Sequence, residues 1–119
     1  MAILINPKCN FQVENVNIDP SGRIICIQVS NDQCSKFQVA NVYSPTQPSL
    51  RGEFFENIVQ YTYPTIPLVL ASDFIMAEDP WLDKLGSRNT YATIGIKELN
   101  KIKKDHSLID VWRKINPYK

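Results

Sequence analysis

The chain has 119 residues, 44% of them hydrophobic, which suits one small domain with a modest core and leaves too little for two. Thirteen Lys and Arg face twelve Asp and Glu, so the net charge is +1 and lacks the strongly basic balance of a dedicated nucleic-acid binder. Any phosphate chemistry would therefore rely on a metal ion or on basic residues gathered locally. No apolar run approaches the ~20 residues of a membrane span or the core of a signal peptide, so we expect no membrane partner and an intracellular location, nucleus or cytoplasm.

Three cysteines, Cys9, Cys26 and Cys34, lie far apart in the chain. Because no CxxC pair is present, a zinc site is not expected, and an odd number of thiols fits a reducing compartment. Cys26 stands in an apolar strand-like run and is expected to be a buried thiol.

The first half of the chain predicts β structure. Residues 2–6 form an apolar strand-like run, and residues 11–18 carry two apolar phases that a bulge near Asn15 would reconcile. Asp19-Pro20-Ser21-Gly22 has the residues of a type I turn.

In two further segments, residues 23–30 and 36–43, successive side chains alternate between two faces, as in a β-strand. The turn residues Asn31-Asp32-Gln33 lie between the two segments. In the second of them, Phe37, Val39, Asn41 and Tyr43 share one face. Three strands joined by tight turns predict an antiparallel meander.

The second half predicts helices around one more strand. Residues 49–61 have helical spacing with Ser49 as the cap, and residues 96–104 form a second helix with Leu99 and Ile102 inward. Residues 68–71 are apolar on both faces, which predicts a fully buried strand. Residues 108–112 form a short final apolar element. This order predicts a mixed α/β (α+β) architecture.

Asp73 is the sharpest candidate for chemistry, because it ends the predicted buried strand and ligands gather beyond the carboxyl ends of such strands. A carboxylate there could bind a hard cation or activate water, or could only cap the following turn. Tyr43 ends the third strand of the meander. Its hydroxyl could contact a phosphate oxygen, or the side chain could be a core residue.

Other polar residues are better explained without a site. Arg51 could bind phosphate but is expected to be a solvated surface side chain. Asp79 and Asp83 lack the ligand spacing of a calcium loop. His106, the one histidine, is expected to be exposed and uninvolved.

Six short segments, taken together and in their order along the chain, carry a resemblance to a known protein family. They are Ala2-Ile3-Leu4-Ile5, Gly22-Arg23-Ile24-Ile25, Asn41-Val42-Tyr43-Ser44-Pro45, Arg51-Gly52-Glu53-Phe54-Phe55-Glu56, Ala71-Ser72-Asp73-Phe74 and Asp110-Val111-Trp112-Arg113. In this order and spacing the chain resembles the endonuclease/exonuclease/phosphatase domain, specifically the version in LINE-type (non-LTR) retrotransposon polyproteins that also carry reverse transcriptase. The resemblance covers nearly all of residues 1–119.

The resemblance implies a DNase I-like four-layer α/β/β/α sandwich, of which this chain would be a part, incomplete at both ends. It also implies a phosphodiester-cleaving nuclease (a hydrolase) that uses Mg²⁺ or Mn²⁺ and acts on DNA. No small-molecule cofactor is expected.

By resemblance, Tyr43 matches the tyrosine that contacts the scissile phosphate, and Asp73 matches the aspartate of a Gly-Asp-Phe-Asn motif. Ile75 replaces the asparagine of that motif, and Ser72 replaces its glycine. Trp112 is expected to pack on the core and Asp110 to support local structure, and neither is counted as catalytic.

The family's metal-binding glutamate and an asparagine would lie before this segment, and its Asp–His pair beyond it. We therefore expect the chain to be inactive as it stands, with no Mg²⁺ or Mn²⁺ bound and with weak DNA binding or none. The alternatives are a non-catalytic relic or binding remnant, and a phosphoesterase of the same superfamily.

Overall fold

The computed structural model of the chain describes residues 1–74, 76 and 93–118, and these have a mixed α/β architecture. The chain divides into two units, Met1–Ser44 with Asn57–Phe74, and Pro45–Glu56 with Ile75–Lys119. The first unit contains a four-stranded sheet, and the second contains most of the α-helical residues.

Three antiparallel strands confirm the predicted meander: β1 (Gln12–Ile18), β2 (Ile24–Asn31) and β3 (Cys34–Tyr43). The register of β1 shifts between Glu14 and Asn17, where Asn15 has a φ of 49°. This is the bulge that the two apolar phases of β1 predicted.

The turn between β1 and β2 is also confirmed. The Gly22 N–H donates to the Asp19 carbonyl oxygen at 3.0 Å. Gly22 has a φ of 71°, a left-handed conformation that glycine adopts without strain. The Asp19 carboxylate accepts the Ile24 N–H at 2.6 Å, so the side chain closes the turn from within.

The fourth strand, β4 (Leu68–Asp73), pairs in parallel with β3 and forms one edge of the sheet. The prediction of a fully buried strand is wrong. Leu68 is buried, but Val69 is 52% exposed. Successive side chains point to opposite faces of a strand, and the face that carries Val69 is open at this edge.

Most of the core of the first unit lies on one face of the sheet, where Gln38 is a fully buried polar residue. Its side-chain nitrogen donates to the carbonyls of Tyr63 at 2.6 Å and Ile66 at 2.8 Å, and its oxygen accepts the Tyr63 N–H at 2.9 Å. Gln38 therefore ties the segment before β4 to β3. The apolar residues of this core are Ile24, Cys26, Ala40, Val42, Ile58 and Leu68. Ile27 and Val29 are also buried, but they lie on the opposite face of the sheet, the face that carries Tyr43.

The predicted strand at residues 2–6 is wrong. This segment joins no strand ladder, and Leu4 is 93% exposed. Pro7 begins a 3₁₀ helix, Pro7–Cys9, whose N-cap is Asn6, and a proline removes a donor that strand pairing would need.

The first predicted helix is present but irregular. It runs as a 3₁₀ helix (Pro48–Leu50), then α1 (Arg51–Asn57), then a second 3₁₀ helix (Ile58–Gln60). Ser49 is not the cap, because Pro48 starts the helical segment one residue earlier.

Two further helices are α2 (Ile96–Asp105) and α3 (Val111–Ile115). The prediction of α2 is confirmed, with Leu99 and Ile102 buried. Gly95 precedes α2 with a φ of 97°, and an added Cβ there would stand 3.0 Å from the Arg51 Cβ and 3.1 Å from the Met76 sulfur. A side chain at position 95 would therefore strain the backbone and require these neighbours to shift by a few tenths of an ångström.

The short helix α3 contains no buried residue, and Trp112 is 65% exposed, so its predicted core packing is wrong. Asp110 does support local structure, because its side chain accepts the Arg113 N–H at 2.9 Å as the N-cap of α3. None of the helices in the described part of the chain combines the length and hydropathy needed to cross a bilayer.

Candidate functional site

Tyr43 and Asp73, the two predicted site residues, end neighbouring parallel strands. They are partners in the β3–β4 register, as are Val42 and Ser72 before them. Partners in register project from the same face of a sheet, and Tyr43 is 41% exposed while Asp73 is also exposed. A phenol and a carboxylate therefore stand side by side at the carboxyl edge of two strands.

Arg23 is a third member of this edge that the sequence did not single out as a site residue. Its guanidinium lies 5.2 Å from the centroid of the Tyr43 ring, and its Nη1 donates to the Tyr43 carbonyl oxygen at 3.3 Å. The Tyr43 N–H in turn donates to the Arg23 carbonyl oxygen at 2.8 Å. A cation over an exposed ring contributes about 0.5–1 kcal/mol and restricts the orientation of the ring.

Asn41 stands two residues before Tyr43 on the same face of β3. Its side-chain nitrogen donates to the Ala2 carbonyl oxygen at 3.1 Å. This contact attaches the N-terminal segment to the sheet on the face that carries Tyr43, beside the candidate site.

Two serine hydroxyls lie at the same ends of β3 and β4. Ser44 follows Tyr43 and is fully buried, and Ser72 precedes Asp73. Neither hydroxyl has a hydrogen-bond partner among the residues that the structure describes. An unpaired buried hydroxyl costs about 1–3 kcal/mol, so this edge carries a local loss of stability.

Ile75, Asp79 and Asp83 lie outside the described residues. His106 belongs to the second unit, where it is half-buried as the C-cap of α2, so the prediction of an exposed histidine is wrong.

Arg51 was expected to be a solvated surface residue, and this is also wrong, because it is 4% exposed. Its Nε donates to the Pro45 carbonyl oxygen at 3.2 Å and its Nη2 to the Thr46 carbonyl oxygen at 3.1 Å. Arg51 therefore holds the loop before α1, since the buried guanidinium satisfies carbonyls that have no strand partner.

A divalent cation such as Mg²⁺ or Mn²⁺ needs several oxygen ligands around one position. Among residues 1–74, 76 and 93–118 no group of three or more His, Cys, Asp or Glu could hold a metal ion. Asp73 supplies a single carboxylate at the β3–β4 edge.

Comparison with protein-family models and with curated proteins finds no match to this chain. The arrangement of Arg23, Tyr43 and Asp73 must therefore be interpreted from its chemistry. A cation and a hydroxyl can bind phosphate oxygens, and a carboxylate beside them can orient a water molecule.

Proposed function

We propose that this chain is part of an endonuclease/exonuclease/phosphatase-type domain related to those of LINE-type retrotransposons, and that it does not cleave DNA as it stands. One observation carries the proposal. Tyr43 and Asp73, which the resemblance names as site residues, are register partners at the carboxyl ends of adjacent parallel strands.

The proposed task of this edge is to hold a phosphodiester. The Arg23 guanidinium and the Tyr43 hydroxyl are donors suited to non-bridging phosphate oxygens. Asp73 would orient a water molecule toward the phosphorus. Because Arg23 lies over the Tyr43 ring, the two donors are oriented together.

The proposed lack of cleavage rests on Ile75, which stands where the resemblance expects asparagine. An isoleucine side chain can neither donate to a phosphate nor hold a water molecule. Groups that act as a unit lose most of their effect when one is removed, so the remaining residues would bind weakly and not hydrolyse.

We also propose that the sheet is one layer of a DNase I-like four-layer sandwich. The face that carries Tyr43 supports this at its outer strands. Ile27 and Val29 at its centre are buried, whereas Val13, Ile18 and Val69 on the outer strands are 45%, 58% and 52% exposed. A facing sheet about 10 Å away would cover such apolar side chains.

The first test is nicking of supercoiled plasmid DNA in Mg²⁺ or Mn²⁺. We expect the chain to produce no relaxed DNA above the buffer control. Metal-dependent nicking by the unmodified chain that is absent in Asp73→Ala would contradict the proposed inactivity while supporting the proposed site.

The second test is a ¹H–¹⁵N titration with a short DNA duplex. We expect weak binding, with shifts concentrated at Arg23, Tyr43 and Asp73, and weaker shifts in Arg23→Ala. Lys36→Ala is the matched control, because Lys36 is also a cation on this sheet but is paired with Glu14 at 2.7 Å near the other end of β3. The proposal fails if these residues do not respond, or if both variants weaken binding equally.

A further inference from the structure

The C-terminal part of the second unit is richer in positive charge than the rest of the chain. Residues 93–118 contain six Lys or Arg and three Asp or Glu, whereas the rest of the sequence contains seven and nine. Lys101, Lys104 and Lys114 are exposed, and none of the three forms an ion pair with another described residue. A polyanion would therefore find free cations on this part of the surface.

The same segment exposes large aromatic rings. Trp112 in α3 is 65% exposed, and Tyr118 is 90% exposed. Val111 and Ile115, at 60% and 71%, extend the exposed apolar surface of α3. Aromatic rings next to cations are the composition of surfaces that bind unpaired nucleotides.

The backbone that carries Trp112 is held by several hydrogen bonds. Asp110 caps α3 through the Arg113 N–H at 2.9 Å, and the Asn116 N–H donates to the Trp112 carbonyl oxygen at 2.8 Å. A partner that stacks on the ring therefore does not have to order the chain first, which reduces the entropic cost of binding.

The connection from α2 is equally defined. The Leu108 N–H donates to the Lys103 carbonyl oxygen at 2.7 Å and the Ser107 N–H donates to the Lys104 carbonyl oxygen at 3.2 Å, with Ser107 at a φ of 54°. This is the hydrogen-bond pattern of a Schellman motif. The backbone that leads from the lysines at the end of α2 toward Trp112 in α3 is thus defined at its start.

We propose that residues 103–118, termed the aromatic–basic segment, bind single-stranded nucleic acid. Unpaired bases stack on Trp112 and Tyr118, and the phosphates between them contact Lys104 and Lys114. A duplex hides the faces of its bases, whereas a single strand presents them to the rings, so the strand is preferred over the duplex. This inference concerns the second unit and does not depend on the site proposed at the β3–β4 edge.

A second copy of the chain is a poorer partner. If the aromatic–basic segments of two copies faced each other, their positive charges would repel. Helix length argues against a membrane surface. α3 has five residues, too few to lay an extended apolar face into the interface.

The test is fluorescence anisotropy of a labelled oligo-dT strand of about 20 nucleotides at low salt, where non-specific affinities are on the order of 10⁻⁶–10⁻⁴ M or tighter. We expect Trp112→Ala to weaken binding roughly tenfold, since one stacked base contributes on the order of 1–3 kcal/mol. Trp112→Phe, which keeps a ring, should retain most of the affinity.

Ile115→Ala is the matched control, because it removes a comparably exposed apolar side chain from the same helix without removing a ring. We expect its affinity to stay within about twofold of the unmodified chain. Lys104→Gln and Lys114→Gln should each reduce the slope of log Kd against log salt by about 0.7, as expected for one lost phosphate contact to a single strand.

Three results would overturn the proposal. Equal losses in Trp112→Ala and Ile115→Ala would indicate general apolar docking. If the chain bound single-stranded and duplex DNA with equal affinity, and Trp112→Ala had no effect, binding would rest on charge attraction alone. No strand binding, together with Trp112-dependent binding to phosphatidylserine vesicles or Trp112-dependent self-association in sedimentation velocity, would assign the segment to a membrane or to a second copy.

Discussion

Asp19 shows how one buried carboxylate stabilises a turn. Burial by itself raises the pKa of Asp19, but hydrogen bonds from the Ser21 hydroxyl and from the backbone N–H groups of Ile24, Arg23 and Ser21 bring it below its ordinary value of 3.8. The charged form is therefore favoured in the folded state. Its contribution is present above the unfolded pKa and is lost as the pH falls through the lower folded pKa.

We therefore predict that Asp19→Asn lowers the free energy of unfolding by about 1–2 kcal/mol at pH 7, because one amide nitrogen would face a backbone N–H donor. Urea denaturation at pH 7 and at pH 3 measures the effect, and the difference from the unmodified chain should shrink at the lower pH. Asp32→Asn, in the exposed turn between β2 and β3, should change stability by less than about 0.5 kcal/mol. An undiminished difference at pH 3 would show that charge is not the cause.

The three cysteines should differ in reactivity. Cys9 and Cys34 are exposed, whereas Cys26 is buried and its burial raises the pKa of the thiol from 9.0 to about 11. Because the thiolate is the reactive form, we predict that a disulfide reagent at pH 8 modifies two thiols rapidly and the third only after denaturation. In Cys26→Ala, two thiols should still react rapidly. Rapid reaction of all three thiols in the unmodified chain would contradict the burial of Cys26.

The same shift has a consequence for stability in alkali. The unfolded thiol ionises near 9.0 and the folded thiol near 11, so the unfolded state loses its proton first. The contribution of Cys26 is fully present below pH 9 and is lost as the pH rises toward 11.

At the scale of elements, substitutions at two glycines with positive φ distinguish the cost of backbone strain from the cost of overpacking. An added Cβ at Gly22 meets nothing within 4 Å, whereas at Gly95 it meets the Arg51 Cβ at 3.0 Å and Phe55 at 3.3 Å. We predict that Gly22→Ala costs about 1 kcal/mol from strain alone, and that Gly95→Ala costs about 2–4 kcal/mol because overpacking adds to the strain. Urea denaturation of both variants gives the comparison, and equal losses would mean that α2 can move away from α1 without cost.

Elements whose apolar residues recur at a clear helical or strand spacing were predictable from the sequence. Features that depend on tertiary contacts were not. α2 follows from the spacing of Leu99 and Ile102, and the bulge at Asn15 follows from two conflicting apolar phases. The exposed side of β4 could not be predicted, because an apolar run has the same composition at the edge of a sheet as at its centre.

The candidate site was predictable only in part, for a reason of register. Asp73 and Tyr43 could be named as strand ends, but Arg23 comes opposite Tyr43 only because the β2–β3 register shifts between Val29 and Asn31. Counting back from the turn without that irregularity would place Gly22 opposite Tyr43. A one-residue shift exchanges the faces of a strand, and the turn residues alone do not reveal it.

At the scale of the whole molecule, the apolar side chains exposed on the outer strands of the sheet affect the behaviour of the chain in solution. Val13 on β1, Ile18 on β1 and Val69 on β4 lie on the face of Tyr43 and are each 45% or more exposed. Among the residues that the structure describes, β1 and β4 are the outer strands of the sheet, and an outer strand presents backbone groups that have no strand partner. Apolar side chains exposed on such outer strands favour association between copies.

We predict that the chain enhances the fluorescence of an apolar dye such as ANS and associates with increasing concentration in sedimentation velocity. The triple variant Val13→Thr, Ile18→Thr and Val69→Thr should reduce both effects, because threonine keeps the β-branched shape that strands accept while adding a hydroxyl. Val59→Thr is the control, since Val59 is 49% exposed in the 3₁₀ helix Ile58–Gln60 and lies on no strand. If the triple variant associates as strongly as the unmodified chain, the contact lies elsewhere, and Trp112→Ala in the same assay would show whether the aromatic–basic segment provides it.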